Sequence, residues 1–286
     1  MAQVLSGRKK SKLRASAGSF DSVTIAAGLV LGLAVVLAVF GPALAPYDPS
    51  TIDLSNALAG SSWEHWLGTD QTGRDILSRL LYGARPTLLA PLIVVIIATA
   101  VGAALAISAA WTGGWYDSLV SRVLDILFAF PGLILAILAV AIFGTGLAAP
   151  VVALSVTYVP VVARVLRSAA LRESNLPYID ALYVQGAGTF SICLKHLLPN
   201  LAPLIMVQAT IAFGYALLDL AAISYLGLGQ QPPSSDWGLM ISDGQSSILG
   251  GHLEQSLYAS ILVVVVVVSV NLIGDRVAQH FEVEQA

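Results

Sequence analysis

Six long apolar runs separated by polar stretches organise this chain. No charged side chain occurs between Asp21 and Asp48, and residues 23–40 supply the run of about 20 apolar positions that one crossing of a bilayer requires. Gly41 and Pro42 close that run. The others cover residues 86–110, 119–143, 151–166, 203–226 and 257–273. Pro131 and Gly132 predict a kink inside the third, and Pro160 falls within the fourth. The consecutive valines at 263–268 favour strand in water, yet in lipid a helix satisfies every backbone group within its own segment. The pattern therefore predicts an all-α polytopic membrane protein with six transmembrane helices.

Two longer polar segments, 47–85 and 227–255, connect these runs. In the first, LGTDQTGRDILSRLLYGARPTL at 67–88 predicts a short amphipathic helix at the membrane face, marked by Asp75, Ile76, Leu80 and Leu81. The second is rich in Gly, Pro and Ser. The chain divides into a basic tail at 1–20, a first helix and outer segment at 21–85, a transmembrane core at 86–276 and a tail at 277–286.

Composition agrees with the pattern: 57% of residues are hydrophobic and 11% charged, against roughly 25% charged in a soluble domain. A net charge of -3 offers no concentrated basic surface for nucleic acid. Cys193 is the only cysteine, so no internal disulfide forms, and no Cys/His spacing suggests a zinc site or other metal. The first apolar run has no evident cleavage site, and the tail at 1–20 is too polar to bury a core and is read as disordered. Arg8, Lys9, Lys10, Lys12, Arg14, Arg122, Arg164, Arg167, Arg172, Lys195 and Arg276 fall on one side of the implied membrane, and Arg74, Arg79 and Arg85 on the other. By the positive-inside rule both termini are cytoplasmic, and so is the loop 172–202.

That loop contains NLPYIDALYVQGAGTFSICLKHLLPN at 175–200, too polar to span lipid and too patterned for slack chain. It predicts two short helices. Asn175 caps the first, Pro177 suits its opening turn, Asp180 sits near its positive end and Gly186 stops it. Ile179, Leu182, Tyr183 and Gly186 share one face. So short a helix is marginal in water and needs a surface, either this protein's own helix ends or a separate partner.

Enzyme chemistry finds little support. No GxxxxGK[ST], GxSxG or HExxH occurs, and His65, His196, His252 and His280 are scattered. Asp125 follows Arg122 at i,i+3, which predicts a local ion pair. Asp219, late in the fifth run, either lines a passage or makes a structural pair, and Arg74 and Asp75 are candidates for contacts with neighbouring subunits.

The loop resembles the EAA motif of ABC importer permeases. Asp180, Ala181 and Leu182 stand at its Glu-Ala-Ala positions, Gly186 at its Gly, His196 at its Ile, and Leu198 with Pro199 at its Leu-Pro. FGPALAPYDP at 40–49 and YLGLGQQPPSSDWGLMISDG at 225–244 are similar to stretches of the dipeptide, oligopeptide and nickel permease family, in its C-type subunit. The closing FEVEQA departs from that family's usual tail.

The resemblance implies a type I ABC importer permease fold in a bacterial cytoplasmic (inner) membrane. It implies that Pro177, Tyr178, Ile179, Asp180, Ala181, Leu182, Tyr183, Gly186 and Ala187 contact a separate ATPase. Asp219, Tyr215 and Ser224 would line the translocation pathway. The implied partners are a second homologous permease forming a heterodimer, two cytoplasmic ATPases, an extracytoplasmic substrate-binding protein and membrane lipids. No cofactor is expected on this chain, with ATP and Mg on the ATPases. Di- or oligopeptides are the expected substrates; nickel or glutathione-like cargo is the alternative within the family. An ion-coupled secondary transporter is the alternative outside it, but it calls for more intramembrane charges and a repeat.

Overall fold

A computed structural model describes residues 22–284, with side chains as far as Gln279. The basic tail at 1–20 lies outside the described residues. In chain order the helices are α1 (Ser22–Leu44), α2 (Ile76–Thr112), α3 (Gly114–Phe128), α4 (Gly132–Phe143), α5 (Ala148–Ser174), α6 (Pro177–Val184), α7 (Thr189–Ile192), α8 (Leu198–Tyr225), α9 (Trp237–Ile248) and α10 (Glu254–Glu284). A π-turn over Cys193–Leu197 runs α7 into α8. Among the described residues, five helical stretches are long and apolar enough to cross a membrane, and α3 with α4 supplies a sixth only as a pair bent by 78°. The kink expected at Pro131 is thus a complete break. Pro131 is extended (ψ 125°) and, lacking an N–H, cannot continue the ladder of α3.

Central to the bundle is α2, about 55 Å long at 1.5 Å per residue, which packs on α1, α5 and α8. The separate amphipathic helix expected at 67–88 is absent. Residues 67–75 form irregular chain, α2 starts where the Asp75 carboxylate accepts from the Ser78 N–H at 2.8 Å, and it runs unbroken through Pro86 and Pro91. A continuous buried stripe explains this: Ile76, Leu80, Ala84, Leu88, Pro91, Val95 and Ala98 follow at helical spacing. Further along, Ala103, Ala106 and Ala109 let α5 approach closely, and Gly102 faces Val162 where a Cβ would stand 3.1 Å away. Most spans exceed their predicted bounds at one end or both, and α10 carries through most of the expected tail at 277–286.

At one end of the bundle the α1–α2 connection folds onto α9, a helix unforeseen in the Gly/Pro/Ser-rich segment. Asp236 caps α9, accepting from Leu239 N–H at 3.0 Å. Trp237, 1% exposed, donates its indole N–H to the Leu80 carbonyl at 3.0 Å and fits against Gly83. Arg74 and Asp75, expected at a subunit boundary, are instead buried. Arg74 Nε donates to Asp70 at 2.7 Å, while Asp75 holds Ser78 and lies 3.0 Å from His65 Nδ1. Arg79, with no exposed side chain, bridges Asp70 at 2.5 Å and Asp243 of α9 at 3.2 Å. Burial pushes the Asp70 carboxyl up, but the Thr72 hydroxyl with Arg79 and Arg74 outweighs it and holds the group below the usual carboxylate range.

The expected Arg122–Asp125 pair does not form. Asp125 instead meets Arg164 of α5 at 2.8 Å, whose guanidinium also stands 4.4 Å from the centroid of Phe128. Arg164 gains both an anion and a ring face there, which Arg122 does not. Both members of the pair are exposed, so it is worth about 0–1 kcal/mol.

Candidate functional site

The opposite end of α2 carries the 175–200 loop. Helix α6 begins at Pro177 with Asp180 in its first turn, as the spacing predicts. Asn175 is not its cap. It terminates α5, where its Nδ2 donates to the Leu171 carbonyl at 2.6 Å, because the last carbonyls of that longer helix lack intrahelical partners. Gly186, at φ +83°, adopts the left-handed conformation that ends α6 and allows Ala187 N–H to reach the Leu182 carbonyl at 3.1 Å.

The single apolar stripe expected on α6 divides in two. Ile179 is 3% exposed and sits among Ile107 and Ala110 of α2, Ala169 and Ala170 of α5, and Ile192, Leu197 and Leu201. Leu182 and Ala187 are half-buried beside it. Tyr183, Val184 and Phe190 point away, exposed by 68%, 86% and 78%. Pro177, Asp180, Ala181 and Gly186 are also exposed. The helix therefore rests on its own bundle and still presents an apolar face outward. Of the predicted contact residues, Ile179 belongs to the bundle side; Val184 and Phe190, outside that set, belong to the open side. For Val184 the available signal was its place five residues after Ile179, about 140° around the helix.

Sequence reasoning also missed the clip that fixes this helix. Tyr178 donates its hydroxyl to Glu173 at the end of α5 at 2.7 Å, and Asn200 at the start of α8 donates to Glu173 at 2.8 Å and to the Tyr178 oxygen at 3.0 Å. Burial, then the bond to Glu173, push the Tyr178 phenol up to about 12. Three elements, α5, α6 and α8, are thus joined at one carboxylate. Glu173→Ala removes the acceptor of both bonds, at a cost of about 1–3 kcal/mol. The expected result is faster amide exchange over residues 177–184, about tenfold for each ~1.4 kcal/mol lost. Unchanged exchange would mean that the clip does not hold the helix.

Of the residues expected along a pathway, Asp219 on α8 is half-buried and accepts from the Tyr158 hydroxyl of α5 at 2.9 Å. Tyr215, one turn earlier, is 61% exposed. Ser224 does not join them. It is 1% exposed, tucked under Gly229 and Gly238, because α9 and the preceding loop close over the end of α8.

A bundle of apolar helices with one short amphipathic helix held at its end has the architecture of an ABC importer permease. The fold matches a chain of the MetNI methionine ABC transporter, solved in inward-facing conformations, with TM-score 0.56, 24% identity, and coverage of 70% of this chain and 95% of that one. Residues 102–283 match the family described as "Binding-protein-dependent transport system inner membrane component", and the chain belongs to it. Among its relatives is the glutathione transport system permease protein GsiD of Pectobacterium atrosepticum, 37% identical over 255 residues, 88% of this chain and 84% of the relative. The dipeptide transport system permease protein DppC of Alkalihalophilus pseudofirmus is 37% identical over 255 residues, 89% of this chain and 84% of the relative. This is a multi-pass transport permease, and its relatives are permeases rather than enzymes.

Proposed function

We propose that this chain forms half of the translocation pathway of an ATP-driven importer for short peptides, glutathione included. It is coupled to separate ATPase subunits through the loop 175–200. The observation that carries the reading is the outward apolar surface of Tyr183 and Val184 at the end of α6, with Phe190 of α7, on a loop already seated on its own bundle. An exposed apolar patch of this kind marks an interaction site. The positive-inside count puts it in the cytoplasm, with both termini, and leaves the α1–α2 connection and α9 outside, where a substrate-binding protein docks. The sequence holds no phosphate-binding GxxxxGK[ST], so ATP and Mg belong to the partners. A second, homologous permease encloses the other side of the pathway.

The experiment is reconstitution of both permeases in proteoliposomes with and without the ATPases, supplied with the binding protein and dialanine or glutathione. ATP-dependent accumulation only with the ATPases is expected. Uptake driven by an ion gradient in their absence contradicts the reading.

A further inference from the structure

We propose that Asp219, with Tyr158 and Tyr215, is the subsite of the translocation pathway that receives the ammonium group of a zwitterionic peptide. The inference rests on the import reading above and states which chemistry the pathway offers its cargo. Asp219 lies six residues before the end of α8, about 9 Å from its outer terminus. A carboxylate at that depth is costly against lipid and faces a cavity or a protein neighbour.

The two carboxylates of α3 have cations: Asp117 is paired with Arg167 and Asp125 with Arg164. Asp219 has no ion pair among the described residues; its one hydrogen-bond partner is a phenol. The Tyr158 hydroxyl orients Oδ2 but brings no positive charge, and Oδ1 accepts no hydrogen bond from the described residues. Tyr215 lies at i−4 on the same face of α8, and its exposed ring offers a π surface that favours a cation. Oriented acid, free acceptor and aromatic face together make an incomplete ion-pair site. A primary ammonium, with several N–H donors and one charge, completes it.

Dipeptides and glutathione, the cargo named for two relatives, differ in size and linkage but share a free α-ammonium group. The same cation could come from a Lys or Arg of the second permease, and the test separates these sources. The whole transporter, with both permeases, ATPases and binding protein, is reconstituted as wild type, Asp219→Asn and Asp219→Glu. Uptake of dialanine or glutathione, whichever the wild type accumulates, is measured with basal and substrate-stimulated ATP hydrolysis and the yield of assembled complex. Asp219→Asn is expected to lower uptake by about tenfold or more and to abolish the substrate-stimulated increment. The yield of assembled complex stays unchanged, and Asp219→Glu restores most of the uptake. Wild-type uptake by Asp219→Asn overturns the proposal. Loss of the second permease from the Asp219→Asn complex assigns the cation to that subunit and overturns it as well. A wild-type complex that imports neither compound fails the import reading itself, before any variant is made.

Discussion

Asp70→Asn is expected to destabilise the α1–α2 connection by about 3–5 kcal/mol, the cost of breaking a buried ion pair from one side. Asp70 accepts from Arg74 and Arg79, and both guanidinium groups are buried. Asp243 alone, at 3.2 Å from Arg79, would remain to balance them. Because Arg79 ties the connection to α9, loss of Asp70 loosens both. The measurement is limited proteolysis across residues 45–75 in detergent, with thermal melting alongside. Cleavage at the wild-type rate would contradict the buried network. Adding Arg79→Met to Asp70→Asn removes one of the two stranded charges and is expected to recover part of the loss, since partners in one network do not act additively.

Gly186→Asp is expected to insert and fold yet lose the ATPases. Apart from its chain neighbours, no described residue has an atom within 4 Å of where a Cβ would stand at Gly186, so the substitution meets open space. Its internal cost is the left-handed φ of +83°, which Asp and Asn tolerate better than other side chains. A large effect on assembly would therefore arise from a contact outside this chain. Co-purified ATPase is expected to fall by about tenfold or more, ~1.4 kcal/mol for each factor of ten. Gly186→Asn, matched in shape and backbone tolerance, separates added charge from added bulk. Normal ATPase recovery with Gly186→Asp would remove the docking surface from this part of the loop.

The helical runs, Pro177, Asp180 and the Gly186 turn were legible because they depend on local chemistry: apolar length, a missing N–H, the helix dipole, a positive φ. What was not legible depends on which element packs where. The stripe on α6 was visible as periodicity, but only the packed bundle turns Ile179 inward and leaves Tyr183, Val184 and Phe190 outside. Arg164 took Asp125 from its sequence neighbour Arg122 because α5 lies against α3. Glu173, Tyr178 and Asn200 are far enough apart that no spacing rule joins them. Helix α9 was hidden by its Gly/Pro/Ser-rich surroundings, although Asp236 before Trp237, Met240 and Gly244, all buried, carried a capping and periodicity signal. Pro86 and Pro91 invite a helix boundary that the buried stripe of α2 overrides.

The central claim, that the outward face of α6 is where ATPases engage this permease, is tested most directly by site-specific photo-crosslinking in the assembled transporter. A benzophenone side chain placed at Val184 is compared with one at Leu249, a 96%-exposed residue at the opposite end of the bundle. The account predicts a crosslinked product with the ATPase from Val184 and none from Leu249. An ATPase product from Leu249, or none from Val184 in an intact complex, would contradict it.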